Sequence, residues 1–104
     1  MTIGHKYEFS WFSAAVPKTV YAPAATTSGT YQASATYQGK LHVLMSDSDL
    51  TIEGGTGSSV TATSKLQWFK KTPFYFIPSS SKESLGWASS SSATVTIAVV
   101  EPTA

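Results

Sequence analysis

The sequence predicts an all-β fold: a single domain over residues 1–104, built as an antiparallel β-sandwich or barrel of about eight short strands. In several segments apolar and polar residues alternate with the two-residue period of a strand. Clusters of Gly, Pro and Ser separate these segments at intervals of about 8–12 residues. The 17 serines and 14 threonines favour turns and pleated strands over helix.

The N-terminal part of the chain has the clearest strand pattern. Within residues 3–12, one face of the predicted strand carries Ile3, His5, Tyr7, Phe9 and Trp11. This alternation predicts a strand with a largely aromatic face. Two prolines then bracket residues 18–22, a short extended segment in which Val20 is the expected buried residue.

The middle of the chain is predicted to contain a central strand and a glycine-rich turn. Residues 40–46 place Leu41, Val43 and Met45 on one side and His42 and Leu44 on the other. Because both sides are partly apolar, this strand is expected to lie inside a sheet. Residues 47–49 predict a turn, residues 50–53 a strand, and residues 54–57 a hairpin turn. Residues 60–64 and 66–69 predict one strand, or two strands joined by a bulge.

The C-terminal part is predicted to contain two strands separated by serine-rich loops. Residues 74–77 are aromatic or aliphatic and lie between Pro73 and Pro78, which predicts a strand. Residues 79–84 predict a polar loop, and residues 89–92 a serine-rich turn. The last strand, residues 93–100, places Val95, Ile97 and Val99 on one face and ends at Pro102.

The composition argues against several classes of partner and site. The formal net charge is +1 and no arginine is present, so no nucleic-acid partner is expected. The absence of cysteine excludes disulfides and thiolate metal sites. No apolar run reaches the roughly 18 residues that span a bilayer, and residues 1–15 lack a signal-peptide pattern. We therefore expect neither a membrane partner nor export.

No catalytic constellation is recognisable in the sequence. Serine is abundant, but no Gly-x-Ser-x-Gly motif occurs, and His5 and His42 both lie within predicted strands. Both are interpreted as packed or surface strand histidines. A small hydrolase would need one of them to meet an acid and a serine in the fold. The prediction is a protein without enzymatic activity, catalytic residues or a cofactor.

Three acids, Asp47, Asp49 and Glu53, are candidates for a calcium site because Ca²⁺ prefers oxygen ligands. Their spacing lacks the glycine and the terminal glutamate of an EF-hand loop. The sequence instead favours a turn in which the aspartates cap their own backbone, and no metal is expected. Residues 54–57 are glycine-rich but lack the Gly-Lys-Ser/Thr ending of a phosphate loop.

Aromatic side chains are the main candidates for function, either in the core and an interface or as a platform for sugar rings. The candidate interface residues are Tyr7, Phe9, Trp11, Phe12, Phe74, Tyr75 and Phe76. The candidate glycan-stacking residues are Trp11, Trp68 and Trp87. The second set belongs to an alternative interpretation, a carbohydrate-binding module or receptor-binding tip.

Three segments of the second half share a pattern with a known class of proteins. They are residues 43–48 (VLMSDS), residues 74–78 (FYFIP) and residues 86–101, a serine-rich turn followed by a Thr/Val strand that ends in Glu101. Over residues 41–101 the chain resembles small β-rich virion proteins of tailed bacteriophages, which decorate or cement capsids or form accessory parts of the particle.

The resemblance implies a capsid decoration or cement protein without a cofactor. Such a protein would bind copies of itself, with a trimer favoured, and a capsid or other virion protein. It would be located in the virion after synthesis in the host cytoplasm.

Overall fold

A computed structural model describes residues 2–4, 15–63, 66–80 and 82–102. Within these ranges nine strands form two antiparallel sheets, which confirms the predicted all-β fold and, of the two predicted architectures, the sandwich. The strands are β1 (Thr2–Gly4), β2 (Ala15–Tyr21), β3 (Thr26–Gln32), β4 (Leu41–Ser46), β5 (Leu50–Thr56), β6 (Leu66–Trp68), β7 (Phe74–Ile77), β8 (Glu83–Ala93) and β9 (Val95–Pro102). A 3-10 turn, Ala35–Tyr37, precedes β4.

One sheet has five strands in the order β1-β7-β4-β9-β2, and the other has four in the order β3-β8-β5-β6. The hydrophobic core draws side chains from both sheets, including Leu44 and Ile97 from the first and Ile52 and Trp87 from the second. No helix in the described ranges is long and apolar enough to cross a membrane.

Several predicted elements are confirmed. Strand β4 lies between β7 and β9, so it is an inner strand of its sheet. On β9 the alternation holds, because Val95, Ile97 and Val99 are all buried. The aromatic segment at residues 74–77 is strand β7. Strand β1 agrees with the start of the strand predicted at residues 3–12, and the rest of that segment lies outside the described residues.

Two predicted turns are wrong, because the chain continues through them as strand. Strand β5 extends through Gly54 and Gly55, which pair with Leu85 and Ser84 of β8. The chain leaves the strand only after Thr56, at Gly57, whose φ of 88° favours glycine. The predicted loop at residues 89–92 is also strand, since β8 runs without a break to Ala93.

The strand predicted at residues 60–64 is also wrong for the residues described there. Residues 57–63 are irregular, and strand β6 covers only Leu66–Trp68. The apolar pattern around Val60 arises because this segment packs over the four-stranded sheet as a covering strap.

Candidate functional site

The strand register separates the inner and outer faces of the four-stranded sheet. Opposed residues of neighbouring strands point to the same face. Ile52 is opposite Trp87, and both are buried in the core. The next pair, Thr51 and Ala88, therefore lies on the outer face, and Gln67 of β6 extends this row because it is opposite Thr51.

One half of this outer face is covered by residues 58–63, which we call the strap. Val60 packs over Gly55 and Gly86, where a β-carbon would lie 2.9 Å from Val60 Cγ2 and 2.5 Å from Val60 O, respectively. Glycine is required there because any side chain would displace the strap. The hydroxyl of Thr30 fixes the same residue, accepting the Val60 N–H at 3.1 Å and donating to its carbonyl oxygen at 3.3 Å.

The other half of the outer face is open and forms a shallow groove of about 310 Å³. Its lining includes Asp49, Thr51, Gln67, Phe69, Ala88 and Ser90. A second depression of about 300 Å³ lies between β3 and the strap and shares Ala88 with the groove. The two depressions therefore adjoin each other across the middle of the sheet.

A fixed loop at residues 69–72 places Phe69 in the lining of the groove. Asp49 Oδ1 accepts the Lys70 N–H at 2.9 Å, and Trp68 Nε1 donates to Thr72 O at 2.9 Å. The Trp68 ring also packs edge-on against Phe74, with ring centres 5.1 Å apart. These contacts hold Phe69 at the groove with 71% of its surface exposed.

The outer face of the five-stranded sheet has the opposite character. Val43 is opposite Tyr75 on one side and Ala98 on the other, and Leu41 is opposite Val100. All five side chains are half-buried. Met45, on the same side of β4, is 39% exposed. These six residues, from three adjacent strands, make up what we call the apolar face.

The structure places the predicted interface residues in different environments. Phe74 and Phe76 are each 1% exposed and complete the core, so the prediction that they form an interface is wrong for these two side chains. Tyr75, between them in sequence, points to the opposite side of β7 and belongs to the apolar face. Tyr7, Phe9, Trp11 and Phe12 lie outside the described residues.

The predicted glycan-stacking tryptophans also differ in their exposure to solvent. Trp87 is fully buried, with its Nε1 donating to the Tyr21 hydroxyl at 3.3 Å, so it offers no platform to a ligand. Trp68 is half-buried and lines the groove. Trp11 lies outside the described residues. Among the described residues the exposed aromatic side chain is Phe69. The alternation outward from half-buried Trp68 was the signal that could have identified it.

His42 is a core residue and makes two hydrogen bonds. Its Nδ1 lies 2.9 Å from Lys40 O and its Nε2 lies 2.9 Å from the Tyr31 hydroxyl. A carbonyl oxygen only accepts, so Nδ1 carries the proton and Tyr31 donates to Nε2. Burial lowers the pKa of His42 and raises the pKa of Tyr31 to about 12. The pair is neutral at neutral pH and satisfies buried polar atoms, as predicted for a packed histidine.

Acidic side chains of the described residues accept hydrogen bonds from segments distant in sequence. Asp47 Oδ1 accepts the Thr94 N–H at 2.8 Å, and this bond lowers the pKa of Asp47. Glu53 Oε1 accepts from both the N–H and the hydroxyl of Thr63 in the strap.

The prediction of aspartates capping their own turn is confirmed only in part. Asp47 accepts hydrogen bonds from the Ser48 hydroxyl and from its own backbone, but the shorter bonds of Asp47 and Asp49 are to backbone of loops distant in sequence. Among the residues that the structure describes, no three His, Cys, Asp or Glu side chains come together in a group that could hold a metal ion.

Comparison of the chain with protein-family models, with curated proteins and with solved structures finds no match. The candidate functional surfaces are therefore the two outer faces, with the groove and strap on one sheet and the apolar face on the other.

Proposed function

We propose that this chain is a non-enzymatic structural protein of a bacteriophage virion, a capsid decoration or cement protein. It acts by burying the apolar face against copies of itself and against the capsid. The face is a patch of six apolar or aromatic residues on a regular sheet, which suits docking against a second protein surface.

The apolar face is the observation that carries this proposal. A soluble sandwich usually places polar residues on the outer face of an antiparallel sheet. Here the outward positions of β4 are Leu41, Val43 and Met45, flanked by Tyr75 and Val100. The resemblance of residues 41–101 to small virion proteins supports the same role, since β4, β7 and β9 lie in that segment.

The test is to measure self-association and capsid binding together. Recombinant protein is analysed by size-exclusion chromatography with light scattering, and is then sedimented with capsids of the encoding phage that lack the chain. We expect an oligomer that sediments with the capsids. Val43→Lys, which places a charge on the apolar face, should give a folded monomer that stays in the supernatant.

Thr51→Lys is the matched control, because it introduces the same charge on the outer face of the other sheet. It should associate and sediment like the wild type. A wild-type protein that is strictly monomeric and does not bind capsids would contradict the proposal, as would equal behaviour of the two lysine variants.

A further inference from the structure

We propose that the groove on the four-stranded sheet is a binding site for a neutral saccharide. This site is separate from the apolar face and does not depend on the virion role. On a decoration protein it would lie on the opposite side of the sandwich from the docking surface, facing away from the capsid.

The groove combines the two kinds of contact that a sugar ring makes. The exposed Phe69 ring offers an aromatic face to the C–H side of a pyranose, because the negative face of the ring attracts the weakly positive hydrogens. The floor offers the hydroxyl of Thr51 and the carboxamide of Gln67, and neither side chain has a hydrogen-bond partner within the described residues. A carboxamide both donates and accepts, which matches sugar hydroxyls.

Asp49 adds a fixed acceptor to the same site. Its Oδ1 is engaged by the Lys70 N–H, which sets the orientation of the carboxylate. Carboxylate oxygens have lone pairs for more than one donor, so the group can also accept from vicinal hydroxyls. Among the described residues that line the groove it is the one ionisable side chain. Lys70 and Lys71 of the adjoining loop do not belong to this lining. An anionic ligand such as a phosphate or a sulfated sugar is therefore disfavoured.

The position of the groove favours a saccharide over a peptide. An extended peptide binds most readily along an open sheet edge, where unpaired backbone groups continue the ladder. The floor of the groove lies instead on the face of the sheet, over β5, whose backbone is already paired with β6 and β8. Recognition there must use side-chain hydroxyl, amide and carboxylate groups, which is how a polyhydroxylated ligand is bound.

The dimensions indicate a site for a short oligosaccharide. Small-molecule sites are typically about 300–1,000 Å³. The groove, at about 310 Å³, is near the lower end of that range. The adjoining depression, at about 300 Å³, continues it across Ala88 towards β3. A linear ligand can therefore extend from Phe69 towards the strap.

The test uses an array of neutral and charged glycans, followed by calorimetry with any neutral oligosaccharide that binds. Phe69→Ala and Gln67→Ala should each weaken binding, with a loss of up to about tenfold for the aromatic ring. Phe69→Tyr, which keeps the ring, should bind like the wild type. Leu66→Ala is the matched control, because Leu66 is an exposed apolar side chain that neither lines the groove nor belongs to the apolar face.

Chemical-shift mapping by NMR locates the ligand. We expect the Gln67 carboxamide and the amides of Thr51 and Ser90 to shift on titration with the same oligosaccharide, and those of β4 to stay unchanged. An array without neutral hits would overturn the proposal, as would binding that Phe69→Ala and Gln67→Ala both leave intact. Preferential binding of a peptide library at the same residues would overturn the saccharide assignment. None of these outcomes affects capsid sedimentation, which reports on the apolar face alone.

Discussion

The outer faces of the two sheets differ in what they leave exposed. On the five-stranded sheet, Val43 and its neighbours form the apolar face. On the four-stranded sheet, glycines admit a covering strap over one half and polar side chains line an open groove over the other. When another protein covers the first surface, apolar area leaves water and few hydrogen bonds to water are lost. The second surface keeps hydrogen-bonding groups available to a small polar ligand. One small domain can thus separate docking and ligand binding on opposite sides.

Replacement of Gly86, which lies under the strap, by alanine should have the largest effect on stability. In Gly86→Ala the new methyl group meets the Val60 carbonyl oxygen at 2.5 Å and Val60 Cγ1 at 2.8 Å. Backbone cannot rotate away as a side chain can, so we expect a loss of about 1–3 kcal/mol in the free energy of unfolding, measured in urea.

Gly55→Ala is the control for this contact, because its nearest neighbours are only the Val60 methyl groups. It should cost less than Gly86→Ala. If the two variants lose equal stability, or none, the close contact between Val60 and the two glycines does not hold the strap on the sheet. The covered half would then be no more tightly packed than the open half.

The fold class and the inward pattern of β9 follow from the sequence, whereas the strap does not. Alternation determines which residues of β9 are buried, because every second side chain faces the core. Gly55 and Gly86 are locally indistinguishable from turn glycines. Their role depends on a long-range contact with Val60 that no local pattern encodes.

The candidate site shows the same limit. Phe74 and Tyr75 were predicted as equivalent interface residues, yet register places one in the core and the other on the apolar face. Which face of a strand is buried depends on its partners in the sheet. The sequence identifies the strand, but not the side of it that functions.

A reciprocal exchange of similar side chains sharpens the comparison between the faces. Val43→Thr replaces one methyl group by a hydroxyl on the apolar face, and Thr51→Val does the reverse in the groove. The first should weaken self-association by about 0.8 kcal/mol for each chain that buries the residue, which is about fourfold in the dissociation constant per chain. The second should leave association unchanged and weaken saccharide binding. Sedimentation equilibrium and calorimetry measure the two quantities, and the assignment of the faces is wrong if the effects are exchanged.

The smallest expected effect is a loss of stability in acid that arises from Glu83, at the start of β8. The pKa of Glu83 is lowered from 4.5 to about 2, chiefly by hydrogen bonds from the hydroxyl and the N–H of Ser79. Because the folded-state pKa is the lower one, this contribution to stability is complete above pH 4.5 and is lost as the pH falls towards about 2. It should be modest, since the carboxylate is open to solvent.

Glu83→Gln should therefore flatten the dependence of unfolding free energy on pH across this acid range, measured in urea. The six residues of the apolar face include no carboxylate and no histidine. Self-association should thus change little over the pH range in which the wild type loses this stability. A dissociation constant that rises with the same midpoint, and that Glu83→Gln abolishes, would mean that the two faces are coupled through the core.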